Sequence, residues 1–214
     1  MAALTRKERD DMRKRREILA AALAMFAEGG FHNTTMAQIS KASQYPLGTI
    51  YKFFPGKKEM YHDLVIERVH ELGHILTHIA QKEALPVTDR LLAALKAQAR
   101  FYKDNQDVVK IYISERSNID SVGMPRLNQR VNRLHERMVT LFEQMFEQGV
   151  NTGVFKPYPA RDMAGLFADI VHSAAWSGMF TEETADQTDR RLSMIFEMVA
   201  TGIKKINQKP VTQL

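Results

Sequence analysis

The sequence contains no cysteine, and this absence removes several classes of protein from consideration. Without thiols the chain cannot form a disulfide framework, a thiolate metal site or a cysteine nucleophile. The absence is typical of proteins that work in a reducing compartment. We therefore expect an intracellular, cytoplasmic protein.

Long uncharged hydrophobic runs are also missing. The nearest approach to one, Met163 to Phe180, is interrupted by Asp169 and His172, and the mean hydropathy of the chain is -0.32. A membrane-spanning helix needs about 20 predominantly apolar residues, so no association with a membrane is predicted. The 214 residues, 44% of them hydrophobic, suffice for one large domain or two small ones.

No segment alternates between apolar and polar residues for long enough to predict a sheet, and no linker rich in glycine, serine or proline divides the chain. Helical spacing of apolar residues predicts an all-α protein of about nine helices. Their predicted bounds are about Asp10–Gly30, Thr35–Lys41, Leu47–Phe54, Lys57–Ala80, Thr88–Lys103, Asp107–Ser117, Pro125–Gly149, Ala160–Gly178 and Thr184–Asn207.

The surplus of positive charge lies at one end of the chain. Residues 1–57 hold ten lysines and arginines against five acidic residues, whereas the remaining 157 residues hold twenty of each kind. A concentrated positive field favours a polyanionic partner such as nucleic acid. A solvated charged surface is the alternative interpretation, and charge alone leaves it open.

Local signals within this basic region predict a helix-turn-helix. Gly29-Gly30 closes the first helix, Thr35-x-x-Gln38 has the pattern of a capping box, and Pro46 breaks the chain and can start a new helix. Two short helices that follow a longer one are the ingredients of this motif. The first short helix can hold its amino end against phosphate, and the second can then enter the major groove.

The predicted third helix has two different faces. Ile50, Phe53 and Phe54 cluster on one arc, and the opposite face is small, polar and cationic. A glycine there lets the helix backbone approach a groove, and a lysine can reach a base edge or a phosphate. The predicted DNA-contacting residues are Thr35, Gln38, Leu47, Gly48, Thr49, Tyr51, Lys52 and, at the start of the fourth helix, Lys57, for which a simple solvated lysine is the alternative.

These residues carry a resemblance to a known family. The runs Gly30-Phe31, Thr34 to Ile39, Gly48 to Phe54 and Lys57-Lys58-Glu59 resemble the DNA-binding segment of the TetR family of bacterial repressors, over about residues 14–64. The resemblance implies an N-terminal three-helix DNA-binding domain and a larger helical domain that binds a small molecule. It also implies homodimerisation through the last two helices and release of the operator when an inducer shifts the two DNA-binding domains out of spacing.

Three residues depart from the family's usual pattern. Pro46 stands where a serine-type cap is common, Leu47 where a lysine or another polar residue is frequent, and Phe53 where a tyrosine or histidine is usual. These departures bear on how bases are read. Leu47 could contact a thymine methyl group or pack against the second helix, and packing is the interpretation we favour.

The larger domain carries weaker signals. Methionine and aromatic residues at helical spacing could line an apolar ligand cavity, although core packing explains most of them, and we select Met138, Phe142 and Trp176 as ligand contacts. The eighth helix is rich in small residues and the ninth has an apolar face, which together could form a four-helix dimer interface. The predicted interface residues are Ala168, Ala175, Leu192, Ile195, Phe196 and Val199, with burial within the monomer as the alternative.

Three other functions are the alternatives: a metal-responsive regulator, an enzyme, and a small-molecule-binding protein that does not bind DNA. His70, His74 and His78 fall on one side of the fourth helix and could share a divalent ion, as in a metal-responsive regulator, but no fixed ligand set is evident and no metal is assigned. Neither a phosphate-cradling glycine loop nor a Gly-x-Ser-x-Gly elbow is present, so an enzyme is not predicted and no cofactor is expected. A helical small-molecule-binding protein without DNA binding is the remaining rival.

The sequence thus predicts a ligand-responsive, DNA-binding transcriptional regulator, interpreted as a repressor. Residues 1–57 form the predicted helix-turn-helix domain, and residues 58–214 form the ligand-binding and dimerisation domain. Its expected partners are double-stranded operator DNA, a small-molecule inducer with an apolar part, and a second copy of the chain.

Overall fold

The structure, a computed structural model, describes residues 5–109, 125–179 and 181–204. Helices account for the secondary structure of these residues, apart from one isolated antiparallel bridge between Phe155 and Lys204. The prediction of an all-α protein is therefore confirmed. The helices are α1 (Arg6–Gly29), α2 (Met36–Ser43), α3 (Leu47–Phe53), α4 (Lys57–Ala80), α5 (Val87–Asp104), α6 (described over 106–109), α7 (Pro125–Asn151), α8 (Ala160–Met179) and α9 (Ala185–Ile203).

Two predicted bounds need correction, and one helix lies largely outside the described residues. Helix α1 begins four residues before the predicted Asp10, because Thr5 and Glu8 form a capping box that satisfies the first free N–H groups. Helix α9 ends at Ile203 and not at Asn207, since Lys204 has an extended backbone. Most of the predicted sixth helix, Asp107–Ser117, falls outside the described residues.

The local signals around α2 act as the sequence predicts. Gly30, with a φ of 76°, ends α1 and donates its N–H to the Phe26 carbonyl, and the side chain of Phe31 folds back to within 5.3 Å of the Phe26 ring. Thr35 and Gln38 form the predicted capping box of α2. The end of α1 and the start of α2 are thereby fixed by residues at the helix ends themselves.

Chain packing divides the molecule into two compact units. The first consists of Met1–His70 with Asn105–Val131, and the second of Glu71–Asp104 with Asn132–Leu214. Helix α4 supplies residues to both. The predicted boundary between a DNA-binding domain of residues 1–57 and a second domain of residues 58–214 stays a prediction.

The core of the first unit joins α1, α2 and α3 to the first half of α4. Its most buried side chains are large and apolar, and each contributes about 1.5–3 kcal/mol by leaving water. They include Ile18 and Phe26 of α1, Ile39 of α2, Ile50 of α3, Phe54 after it, and Met60 and Tyr61 of α4. The core buries one face of α3, that of Ile50, and leaves the opposite face exposed.

The second unit has its own core between α5, α7, α8 and α9. Four phenylalanines form its centre: the ring of Phe167 meets Phe142 at 5.1 Å and Phe146 at 5.7 Å, both edge-on, and Phe155 lies 5.5 Å from Phe146. Such edge-to-face pairs add to the energy of burial. Among the described residues, no helix combines the length and the apolar character needed to cross a membrane.

Candidate nucleic-acid interface

The outward face of α3 is open. Tyr51 is 50% exposed, Lys52 is exposed and Thr49 is half-buried. A Cβ atom added to Gly48 would have no other heavy atom within 4 Å. The face therefore offers a hydroxyl, an ammonium group and a stretch of bare backbone to a partner outside the unit.

The inward face of α3 is buried as predicted at two of three positions. Ile50 and Phe54 have no exposed surface, whereas Phe53 is half-buried. Because Ile50 and Phe54 are one helical turn apart, they fix the rotation of α3 about its axis. That rotation keeps Gly48, Tyr51 and Lys52 pointing away from the core.

Leu47 is more exposed than the favoured interpretation implied. It retains 38% of its surface at the first residue of α3, so packing within the unit leaves part of this side chain uncovered. The preceding Pro46 is the N-cap and makes no side-chain hydrogen bond there. The uncovered part of Leu47 remains available for a thymine methyl group.

The amino end of α2 places Thr35 and Gln38 at the surface. The Thr35 N–H donates to the Gln38 side-chain oxygen at 2.8 Å, and the Gln38 N–H donates to the Thr35 hydroxyl at 3.2 Å. The reciprocal bonds hold both side chains in fixed rotamers. Since they use the amide oxygen of Gln38, its amide nitrogen is the group that this residue can offer to a phosphate.

The turn between α2 and α3 is held by contacts that the sequence did not reveal. Gln44 ends α2 in the left-handed region with a φ of 58°, and the Ser40 hydroxyl donates to the Tyr45 carbonyl at 2.7 Å. The Tyr45 hydroxyl donates to the Glu17 carboxylate of α1, and this bond raises the pKa of the Tyr45 phenol. The turn is thereby tied to α1 as well as to α2.

Lys57 has partners other than the predicted phosphate. Its Nζ atom donates to the carbonyl oxygens of Phe31 and His32 at 2.8 Å each and of Thr34 at 2.9 Å. An ammonium group has three N–H donors, and these three carbonyls use them all. Lys57 thereby fastens the loop between α1 and α2 to the start of α4, and a contact of this residue with DNA stays a prediction.

Part of the basic segment in α1 is neutralised by neighbouring acids. Asp10 pairs with Lys14 at 2.6 Å and with Arg13 at 2.5 Å, and these cations lower the pKa of Asp10 to about 2. Arg15 pairs with Asp63 and Glu67 of α4 at 2.7 Å each. The cations of α1 that face outward beyond these pairs include Arg6, Lys7 and Arg16, all exposed.

Arg15 is in addition a packing residue. Its guanidinium lies 5.3 Å from the centre of the buried Phe54 ring, within the range of a cation–π contact. Together with its two carboxylate partners, this contact joins α1, the end of α3 and α4. Arg15, although it belongs to the basic segment, therefore stabilises the packing of the first unit.

The predicted ligand contacts occupy different environments in the second unit. Phe142 is 2% exposed and packs in the phenylalanine core, Met138 packs at the edge of that core, and Trp176 is half-buried. None of the three lines the cavity of about 340 Å³ in this unit, whose walls come from the end of α4, the start of α5 and the second half of α7. Their role in ligand binding stays a prediction.

The predicted dimer residues are divided between core and surface. Ala168, Ala175 and Leu192 are buried in the core of a single chain, and such residues offer almost no surface to a second copy. Ile195, Phe196 and Val199 are half-buried. Among the side chains of α8 and α9 that the structure describes, the large apolar ones that are exposed are Leu166 at 65%, Met194 at 56% and Met198 at 70%.

The histidine stripe of α4 also has the spacing His-Glu-x-x-His, from His70 to His74, that zinc metalloproteases place on a helix. Such enzymes need a third protein ligand and an open coordination position. His70, His74 and His78 are all exposed. Within the described ranges, no group of three or more histidine, aspartate or glutamate side chains is arranged to hold a metal ion.

Two family models match the chain on either side of the middle of α4. The model described as bacterial regulatory proteins of the tetR family matches residues 18–64, which hold the candidate interface, and the model described as a tetracyclin repressor-like C-terminal domain matches residues 84–177. The two matches therefore cover the interface and most of the second unit.

Two individual regulators are similar to this chain over about two thirds of its length. The HTH-type transcriptional regulator YhgD of Bacillus subtilis is 27% identical over 144 residues, which is 67% of this chain and 73% of that protein. The HTH-type transcriptional repressor KstR2 of Mycobacterium tuberculosis is 28% identical over 144 residues, 67% of this chain and 70% of that protein.

A solved structure has the same fold. The crystal structure of a protein from Mesorhizobium loti assigned to the TetR family superimposes with a TM-score of 0.74 at 22% identity, covering 94% of this chain and 100% of that chain. With a helix-turn-helix whose second helix is open on one face, and with both family models matched in order, the chain belongs to the TetR family of DNA-binding transcriptional regulators.

Proposed function

We propose that the protein is a transcriptional repressor that acts in the cytoplasm, binds double-stranded operator DNA as a homodimer, and is released by a small-molecule inducer with an apolar part. The observation that carries the proposal is the open face of α3, where Gly48, Tyr51 and Lys52 point away from a core that fixes the helix by its other side. A helix presented in this way fits the major groove of a duplex.

The proposed contacts fall into two kinds. Gln38, Thr49 and Tyr51 offer amide and hydroxyl donors to phosphate oxygens, which set the position of the protein on the duplex without reading its sequence. Thr35 takes part through Gln38, because its hydroxyl donates to the Gln38 side-chain oxygen at 2.9 Å and holds that side chain in place. Lys52 reaches base edges, and Leu47 touches a thymine methyl group. Gly48 allows the backbone of α3 to come close enough for these two contacts.

A second copy of the chain is proposed because one helix-turn-helix reads only one half-site. Dimeric proteins of this kind bind two half-sites whose centres are about 34–36 Å apart, or a multiple of that distance. The exposed Leu166, Met194 and Met198 supply apolar surface on α8 and α9 for the contact between copies. Burying these side chains against a second copy would remove apolar surface from water, which favours association.

The test of DNA binding is the dependence of affinity on salt. The protein selects operator fragments from random duplexes, and fluorescence anisotropy then measures their affinity at several salt concentrations. The logarithm of the affinity constant should fall linearly with the logarithm of the salt concentration, with a slope of about -0.9 for each neutralised phosphate. A helical small-molecule-binding protein without DNA binding would select no sequence and give no such slope.

Repression and release need a separate measurement. A reporter gene placed behind the selected operator should be silent when the protein is expressed and active when the inducer is added. Transcription that rises with expression of the protein alone would identify an activator. The product of the adjacent gene indicates the chemical class of the inducer. An enzyme points to its substrate, and an exporter points to the compound that it exports.

A further inference from the structure

Arg90 is a buried cation in the second unit. Only 3% of its surface is exposed, although it lies at the start of α5, which begins at Val87. Its Nη1 atom donates to the carbonyl oxygen of Ala80 at 2.7 Å, and its Nη2 atom donates to the side-chain oxygen of Gln148. Its Nε atom is buried and has no hydrogen-bond partner.

The charge of this guanidinium is only partly balanced. Ala80 is the last residue of α4, and the carboxyl end of a helix carries about half a negative charge. Gln148 is neutral. Within the described part of the chain, no carboxylate forms an ion pair with Arg90, so about half a positive charge is left in a buried place where an unbalanced charge is costly.

A cavity of about 340 Å³ adjoins this guanidinium. Its volume is at the small end of the range of about 300–1,000 Å³ that is usual for small-molecule sites. Leu141 and Met145 of α7 form an apolar side, and amide side chains add polar groups that can donate hydrogen bonds. The polar lining consists of Arg90, Gln81, Gln144, Gln148, Thr77 and Glu83.

Among these lining residues Glu83 carries the single negative charge. It lies in the segment between α4 and α5 and is exposed, so water and salt screen its charge. Arg90, in contrast, is shielded from water. The difference in burial means that the field inside the cavity is set by the guanidinium more than by the carboxylate.

We propose that this cavity binds a small organic carboxylate with a short apolar body, the carboxylate at Arg90 and the apolar body against Leu141 and Met145. The proposal rests on the function proposed above, since it names the chemical class of the inducer and the place where it binds. A carboxylate matches the planar set of donors of a guanidinium. It also supplies the balancing charge that no carboxylate of the described residues gives to Arg90.

The test measures binding to the whole protein in the absence of DNA. Isothermal titration calorimetry compares butanoate, hexanoate and octanoate with octanamide, which has the same apolar body as octanoate without the charge. At least one carboxylate should bind, and octanoate should bind at least tenfold more tightly than octanamide. Inorganic phosphate should bind weakly or not at all, because it makes no use of the apolar side.

Variants locate the site. Arg90→Gln should abolish the preference for octanoate over octanamide, whereas Arg100→Gln, an exposed arginine on the same helix, should leave it unchanged. Leu141→Trp fills the cavity without removing a contact of Arg90, and it should weaken both ligands at least tenfold. Circular dichroism confirms that each variant is folded, and Leu141→Trp decides the matter if Arg90→Gln does not fold.

Three outcomes would overturn the proposal: no carboxylate binds, octanoate and octanamide bind equally well, or Leu141→Trp binds octanoate as the unaltered protein does. Operator affinity, measured separately by anisotropy, keeps this result apart from the proposed function. A protein that binds its operator but no carboxylate remains a DNA-binding regulator with its inducer site elsewhere.

Discussion

The ammonium nitrogen of Lys57 lies 2.8 Å from the carbonyl oxygen of Phe31 and 4.9 Å from the centre of the ring of the same residue. One side chain at the start of α4 therefore holds both the backbone and the ring of the loop that leads into α2. The loop sets the direction of α2, and through it the position of α3.

We expect replacement of Lys57 to lower the stability of the fold, whether or not the residue contacts DNA. Lys57→Met keeps the apolar stem and removes the three charged hydrogen bonds, each of a kind that contributes about 1.5–3 kcal/mol when buried and less when exposed. We expect the free energy of unfolding, measured by urea denaturation, to fall by about 2 kcal/mol. Lys41→Met, at an exposed position of α2, should change it by less than about 0.5 kcal/mol.

The salt dependence of DNA binding separates the two roles of Lys57. If the residue only fastens the loop, Lys57→Met lowers affinity while the salt slope stays the same. A slope that becomes shallower by about 0.9 for each copy of the chain, with stability unchanged, would show that Lys57 neutralises a phosphate after all.

Lys52 and Tyr51 should respond differently to substitution. Lys52→Ala should weaken binding by about 1–3 kcal/mol for the selected operator and relax the preference at one base position, because a base contact is lost. Tyr51→Phe removes a phosphate contact and should weaken binding to all duplexes alike. Affinities for a set of single-base operator variants measure the difference, and a uniform loss for Lys52→Ala would make it a phosphate contact.

An acidic residue on the exposed surface of α9 should separate two copies of the chain. Met198→Glu places a charge on a side chain that is 70% exposed in one chain, so the fold should tolerate it while an apolar contact between copies would not. Analytical ultracentrifugation should show a shift from dimer to monomer. Leu85→Glu, on an exposed leucine outside α8 and α9, is the matched control and should remain dimeric.

A glycine in α7 is required by close packing. A Cβ atom on Gly149 would overlap carbon atoms of the buried Phe155 ring, whereas one on Gly165 of α8 would meet nothing within 4 Å. Gly149→Ala should lower the free energy of unfolding by about 1–3 kcal/mol through overpacking. Gly165→Ala should be neutral or raise it by up to about 1 kcal/mol, since alanine is the better helix former. Equal effects in thermal denaturation would contradict this reading.

What the sequence predicted correctly depends on near neighbours along the chain. The Thr35–Gln38 capping box, the Gly30 end of α1 and the two faces of α3 each follow from residues within one or two helical turns of one another. Lys57 and Phe31 are 26 residues apart and Arg15 and Asp63 are 48 apart. Such pairs depend on how helices pack, and a single sequence carries no signal of them.

The same distinction explains the dimer and ligand residues. The sequence predicted small residues along α8 and an apolar face on α9, but each helix contacts its own chain on one side and is exposed on another. Leu192 and Met198 are both apolar residues of α9, yet one is 1% exposed and the other 70%. Which apolar side faces the core is set by tertiary packing, and periodicity alone cannot distinguish the two.

The empty space around Gly48 has a consequence for how this protein can change over time. Glycine inside a helix is less favourable than alanine by about 0.5–1 kcal/mol, and nothing in the folded chain obliges it to be there. Gly48→Ala should thus raise the melting temperature while weakening operator affinity. Selection for glycine at this position would therefore come from the DNA that the protein binds and not from the stability of its fold.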